Sequence, residues 1–407
     1  MKILFLLSQD MESPAGAGRY FPLARGLVKL GHQVNIAALH ANFTSLHKTS
    51  FEQKGVKIDY VAQMHVLKQG NRKLYYPAHR LMGLMIQSTW ALSRAALSLP
   101  ADIVHIGKPH PMNSMAGLLA RYLRGKKVFL DCDDLEVATS HFSGKWQKWG
   151  VALFENGMPK RVHHVTTHTY YLRDRLMHLG IPAEKITYLP NGVDKERFSW
   201  PETGDLDKLR DNLGLQGKKV VAFIGSLSLP SHPVDLLLEA YQTVREAIPG
   251  SKLLIVGGGE EFDRLSGRVQ EMGLGEATIF TGRIPAAEAP LYYRLADVVV
   301  DPVIDNEVGR TRLPLKMFES WASQVPFVTA DVGDRRMVIG TPPAGILATP
   351  GQASSLAQAI LQVLTDPGLA EDIRQAGSLR AIEYDWDRLA QRLEKVYLEH
   401  GTSLPGK

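Results

Sequence analysis

Two glycine-rich loops and one acidic run are where this sequence groups residues able to do chemistry. The first loop, Ser13-Pro14-Ala15-Gly16-Ala17-Gly18-Arg19, lies between a short apolar run and a helix-like stretch. The second, Gly257-Gly258-Gly259, ends the run Leu253–Val256 and again precedes a helix-like stretch. Glycines at such a junction let the backbone approach an anion, and the helix N-terminus adds unpaired N–H groups and a favourable dipole. A plain strand-to-helix turn is the alternative reading of both. The dinucleotide fingerprint fails at the first loop, which lacks the third glycine because Tyr20 and Phe21 follow at once. The acidic run, Asp131-Cys132-Asp133-Asp134-Leu135-Glu136, could hold a metal, act as a general base or cap the next helix. His110, in Lys108-Pro109-His110-Pro111, is a second base candidate. Gly-Lys-Ser/Thr, His-Glu-x-x-His, paired cysteines and Gly-x-Ser-x-Gly do not occur, so Walker-type ATPase, zinc-protease and zinc-ribbon readings lack support.

Positioning these loops requires elements, and apolar runs alternate with amphipathic stretches throughout. Strands are expected at Ile3–Leu7, Val34–Leu39, Ile103–Ile106, Val128–Leu130, Val220–Ile224, Leu253–Val256, Val298–Val300 and Phe327–Thr329. Helices are expected at Arg19–Leu30, Met115–Leu123, Leu236–Ala247, Asp263–Met272, Leu291–Leu295, Leu315–Ser323 and Leu356–Leu364. Strict alternation implies parallel sheets with crossover helices, hence an α/β fold. The series restarts at Val220-Val221-Ala222-Phe223-Ile224-Gly225, and the turn-rich Leu189-Pro190-Asn191-Gly192-Val193-Asp194 is the expected hinge. The expected domains are residues 1–190 and 191–384, each doubly wound and facing the other across a cleft, with a closing helix in 385–407 that packs back on the first.

At 407 residues the chain exceeds one ordinary core, and its composition is that of a soluble globular protein. The single cysteine, Cys132, excludes an internal disulfide framework and points to the cytoplasm. Asp10 and Glu12 cut short the N-terminal apolar run, which reads as a strand rather than a signal peptide. Residues 1–190 carry 24 Lys/Arg against 12 Asp/Glu, whereas residues 191–407 carry 23 against 30. The basic half, with the amphipathic stretch Tyr75–Leu99, suits peripheral docking on an anionic membrane surface; a solvated lysine-rich face is the alternative. Scattered basic residues without finger or RNP motifs argue against nucleic acid.

The ordered set of motifs resembles the retaining glycosyltransferases of family 4, which have the two-domain GT-B fold. Its elements are the glycine loop with Leu23-Ala24-Arg25-Gly26-Leu27, Gly31-His32-Gln33-Val34, Pro190-Asn191-Gly192-Val193-Asp194, Phe223-Ile224-Gly225, Leu254 to Gly259, Phe280-Thr281-Gly282, Ala296 to Val300 and Pro314 to Ala322. The resemblance implies that Glu319 accepts hydrogen bonds from the nucleotide's ribose hydroxyls and that Lys316, three residues earlier on one helix face, meets the diphosphate. It places Gly16, Gly18, Gly225, Ser226, His232, Gly257, Gly259, Arg283, Thr311 and Leu315 at the donor site. Thr311 stands where members often have a glutamate that touches the sugar, and Ser226 and His232 stand where they have arginine and lysine. Arg310, Arg312 and Lys316 are the candidates to restore that positive charge.

The implied reaction is transfer of a sugar, of hexosyltransferase type, from a nucleoside diphosphate sugar to an acceptor hydroxyl of a lipid or cell-surface glycan precursor, with retention. Lys316 and Arg312 would stabilise the leaving diphosphate, and His110 or Asp134 would serve as base toward the acceptor. The resemblance implies no cofactor beyond the co-substrate and no metal. A non-catalytic scaffold subunit and a nucleotide-sugar 2-epimerase are the alternative readings.

Overall fold

The computed structural model describes residues 1–140, 142, 144–198, 203–228 and 232–401. The chain forms two compact units, one built from residues 1–68, 73–190 and 386–407 and the other from 69–72 and 191–385.

The first unit holds an eight-stranded sheet in the order Ile186–Tyr188, His164–Thr167, Lys127–Cys132, Ile103–Gly107, Lys2–Leu7, Gln33–His40, Val56–Gln63 and Ser50–Gln53. All neighbours are parallel except the last pair, which is antiparallel. The central strands are buried along their length, as expected of parallel strands covered by helices on both faces. Alternation alone implied purely parallel sheets. The antiparallel edge pair departs from this because Val56–Gln63 alternates apolar and polar residues, the mark of a half-buried strand. His164–Thr167, Ile186–Tyr188 and Ser50–Gln53 are short and partly polar, and no apolar run announced them.

The second unit has a six-stranded parallel sheet in the order Thr278–Gly282, Lys252–Val256, Val220–Ile224, Val298–Val300, Phe327–Ala330 and Ile346–Ala348. Order reverses beside Val220–Ile224, so the loops after this strand and after Val298–Val300 diverge at a topological switch point, the usual ligand crevice of such sheets. Two apolar clusters cover its faces, one with Phe223, Tyr241 and Ile255, the other with Phe318, Trp321 and Tyr293.

The last helix, Trp386–Gly401, belongs to the first unit. It buries Trp386, Leu389, Ala390, Leu393 and Val396 at helical spacing and packs on the helix Phe21–Lys29. Gly26 makes that approach close: a Cβ there would stand 2.5 Å from the Ala390 methyl. Lys29 pairs with Asp387 at 2.8 Å, His32 with Glu394 at 2.7 Å, and the Tyr397 hydroxyl with His105 Nδ1 at 2.7 Å.

Candidate active site

In the second unit the helix Leu315–Ala322 carries both residues that its sequence marks. Lys316, 5% exposed, runs to the end of the central strands, where its ammonium lies 4.0 Å from the Phe223 ring centre and 3.1 Å from Asp301 Oδ1. Asp301 follows Val298–Val300 directly and is fully buried. Its other oxygen accepts from Arg335 at 3.0 Å. Arg335 is also fully buried and donates to the carbonyls of Gly309, Arg312 and Val332. Burial alone would push the Asp301 carboxyl up, but Lys316 and Arg335 outweigh it and hold the group far below the usual carboxylate range. Burial pulls Lys316 down to about 8 against the opposing pull of Asp301.

Arg312 Nη2 lies 3.1 Å from both ring nitrogens of His232, and Lys316 Nζ lies 3.4 Å from Nδ1. Burial, then Arg312, then Lys316 hold this imidazole well below its ordinary pKa. Three cations thus surround one carboxylate, leaving an excess of positive charge at the switch point. Gly225 admits the lysine here, since a Cβ on it would stand 3.3 Å from Lys316 Nζ. Gly257 and Gly259 serve the neighbouring loop: a Cβ would strike the carbonyls of Gly225 and Leu227 respectively. Their smallness is therefore consumed by loop-to-loop packing, a use that the sequence did not separate from ligand approach. Ser226 lies in this loop, half-buried, and Arg283 is exposed after Thr278–Gly282.

One turn beyond Lys316, Glu319 accepts from the Tyr293 hydroxyl at 2.7 Å and lies 3.6 Å from Arg197 Nη1. Leu315, half-buried, opens the same helix. Thr311 differs from expectation. It is fully buried and gives its hydroxyl proton to the Val308 carbonyl at 3.0 Å, so that proton is already committed within the chain. Arg310 is turned to Asp305 at 2.6 Å rather than to the cluster.

The first unit gathers a second constellation at the carboxyl ends of its strands. Ser8 Oγ lies 2.6 Å from His110 Nδ1, and His110 Nε2 lies 2.8 Å from Glu136. Lys108, held at φ 71, turns its ammonium to Glu136 at 2.7 Å, Asp133 at 3.2 Å and Asp134 at 3.8 Å. Burial raises the Asp133 carboxyl to about 6. Asp134 also accepts from the Leu135 N–H at 2.9 Å. Asp131 is removed from chemistry: Arg19 grips both its oxygens, at 2.7 and 2.8 Å, and Thr166 donates to it at 2.6 Å. The glycine loop also reads differently in space. Gly16 and Gly18 are buried in the turn Gly16–Tyr20, and a Cβ on Gly16 would strike the Asp10 carbonyl, so internal packing accounts for that glycine.

Asp10, Glu12 and His40 converge closely enough to suggest a cation. His40 Nδ1, however, accepts the Asn42 N–H at 3.0 Å, which puts the ring proton on Nε2 and removes the lone pair a metal would need. The Lys68 ammonium stands 2.9 and 2.8 Å from the two Asp10 oxygens. The residues do not fit a metal.

Asp301, Arg335, Tyr293, Ser8 and Glu136 complete these clusters without having been singled out individually. Asp301 had a signal, an acid directly after an apolar strand; Arg335 and Tyr293 had none.

Residues 205–380 match the family model for glycosyl transferases group 1, and residues 16–197 match that for Glycosyltransferase Family 4. A GDP-mannose-dependent alpha-(1-6)-phosphatidylinositol monomannoside mannosyltransferase of Mycolicibacterium smegmatis is 28% identical over 302 residues, 72% of this chain and 76% of the relative. A phosphatidyl-myo-inositol mannosyltransferase of Mycobacterium leprae is 28% identical over 306 residues, 74% of each. The sucrose-phosphate synthase of Thermosynechococcus elongatus superposes with a TM-score of 0.75 at 20% identity, covering 98% of this chain and 99% of that one. Anabaena HepE in complex with UDP and glucose gives 0.74 at 19% identity, covering 98% and 100%. Two Rossmann-like units with these likenesses define a GT-B glycosyltransferase. The chain is a glycosyltransferase, with the Family 4 model on its first unit and the group 1 model on its second.

Proposed function

We propose that this glycosyltransferase is a retaining hexosyltransferase that moves a sugar from a nucleoside diphosphate sugar to an acceptor hydroxyl. The observation that carries the reading is the cation cluster of Arg312, Lys316 and Arg335 at the switch point of the second unit. The chemical need in such a transfer is to stabilise charge building on the leaving diphosphate, and preorganised donors do this most effectively where water is scarce. Glu319, backed by Tyr293, suits a ribose diol. Retention rests on the family resemblance. The two mannosyltransferase relatives make GDP-mannose the first donor to test.

On the acceptor side the reading uses His110. Glu136 holds its Nε2 proton, which leaves Nδ1 to accept a proton by way of the Ser8 hydroxyl. No cofactor or metal is invoked. A panel of GDP-, UDP- and ADP-sugars tested by thermal stabilisation and turnover decides the matter, since a ligand at 100 times its Kd stabilises by about 2.7 kcal/mol. If no nucleotide sugar raises the melting temperature or is consumed, the reading is lost.

We infer further that the first unit docks on an anionic lipid surface. Among the described residues no helix is long and apolar enough to cross a membrane. The neighbouring helices Ala78–Ser98, Pro111–Arg124 and Lys145–Gly157 instead expose large apolar side chains: Ile86 at 65%, Trp90 at 63%, Tyr122 at 67% and Trp149 at 69%. Arg80, Arg94, Arg124, Lys145 and Lys148 are exposed on the same helices. Exposed aromatic and aliphatic side chains on helices that also expose cations match an anionic interface better than water.

A further inference from the structure

His232 stands among cations that should repel its own positive charge. It enters the helix Val234–Ala247 through Pro233, with its ring edge-on to Phe223 at 5.6 Å. Arg312, following the short helix Glu307–Thr311, sets Nη2 over the ring face, equally far from both ring nitrogens, and Lys316, on Leu315–Ala322, directs Nζ at Nδ1. An ammonium is a donor only, so Nδ1 must offer it a lone pair, and with a guanidinium against the same ring the imidazole is neutral. Among the described residues the one anion facing it is Asp301, after Val298–Val300, whose Oδ1 is 3.9 Å from Nδ1. Asp301 is already matched by Lys316 and by Arg335, which reaches it from the helix Arg335–Ile339. Within its own loop the backbone N–H of His232 donates to the Ser228 carbonyl, and the nearest acid of that loop's neighbour, Glu260, is engaged by the Ser228 hydroxyl.

A diphosphate entering this cluster changes both conditions at once. Its oxygens give Arg312 and Lys316 better acceptors than an imidazole nitrogen, which frees the lone pair on Nδ1. Its charge also cancels the repulsion that keeps the ring neutral. We propose that binding of a nucleoside diphosphate at this site is coupled to uptake of one proton from solvent by His232, so that the ring becomes a third cationic donor to the diphosphate. The proposal rests on the reading that the cluster holds the donor's diphosphate. Where the sequence resemblance leads one to expect a fixed cation, this chain carries one that appears only when an anion is present. The proton returns to solvent when the nucleotide departs.

Calorimetric titration of the full chain with GDP, UDP and inorganic pyrophosphate at pH 7.5, in two buffers of different ionisation enthalpy, tests this. The wild type should take up close to one proton, and its affinity should weaken by up to about tenfold per pH unit across the rising limb. His232→Gln should still bind, more weakly, with only the small uptake contributed by Lys316. His232→Lys should restore affinity with a flatter pH dependence, which a structural role alone would not produce. Equal heats in the two buffers for the wild type, or the same uptake in His232→Gln, overturn the proposal. Failure of all three ligands to bind instead removes the donor-site reading, and the proposal with it.

Discussion

The ammonium of Lys316 is shared by the buried carboxylate of Asp301, the Phe223 ring and the His232 nitrogen, whereas Glu319 is met, among the described residues, by Tyr293 and Arg197. The two residues should therefore fail differently. If the cluster holds the leaving diphosphate as proposed, Lys316→Met keeps the volume but removes a charge aimed at that group, and turnover should fall by about 100-fold or more. On the same reading Glu319→Gln weakens a ribose contact made equally in ground and transition states, so the donor KM should rise by roughly tenfold with kcat little changed. Steady-state kinetics on the two variants checks the split. The pair was marked by the family resemblance rather than by its spacing, which alone would read as a surface ion pair; the structure sets both residues on one helix. Their partners carried no such mark. Arg335 and Tyr293 sit in ordinary amphipathic helices, and only the crossover connections bring them to Asp301 and Glu319. Thr311 misled for the converse reason: spacing gives a side chain's address but not whether its hydroxyl is already spent.

Elements were most readable where they are buried on both sides. Val220–Ile224 and Lys252–Val256 are continuous apolar runs, which a sequence displays openly. The edge strands Ser50–Gln53 and Ile186–Tyr188 take their pairing from neighbours rather than from their own composition. The helix Trp386–Gly401 shows how one residue can govern an element. Gly26 faces the Ala390 methyl with no space for a side chain, so Gly26→Leu should destabilise the first unit by about 1–3 kcal/mol through overpacking. Urea unfolding followed by fluorescence would register the loss, and Ala390→Gly in the same chain should recover part of it.

On the scale of the whole molecule, charge and exposed apolar surface are set against each other. The basic excess of residues 1–190 was plain in the sequence, but the exposed Trp149 on Lys145–Gly157 was not, because an apolar residue in an amphipathic helix is ordinarily taken for core. Trp90→Glu together with Trp149→Glu should abolish flotation with phosphatidylglycerol vesicles at low salt while leaving donor-induced stabilisation intact; unchanged flotation would refute the docking surface. Acid should loosen the first unit by another route. Burial lowers His105 to about 4, so between its unfolded value of about 6.5 and 4 the unfolded chain binds the proton and the folded one does not. Stability therefore falls with pH across that window, by up to about 1.4 kcal/mol per pH unit, and His105→Gln should flatten the fall in denaturation measured at pH 7 and pH 5. The helix that carries His105's partner, Tyr397, follows the whole of the second unit in the sequence. During synthesis the second unit, residues 191–385, is fully extruded before Trp386–Gly401 leaves the ribosome. The first unit is thus completed only after the second has emerged, and until then the face around Gly26 lacks the helix that covers it.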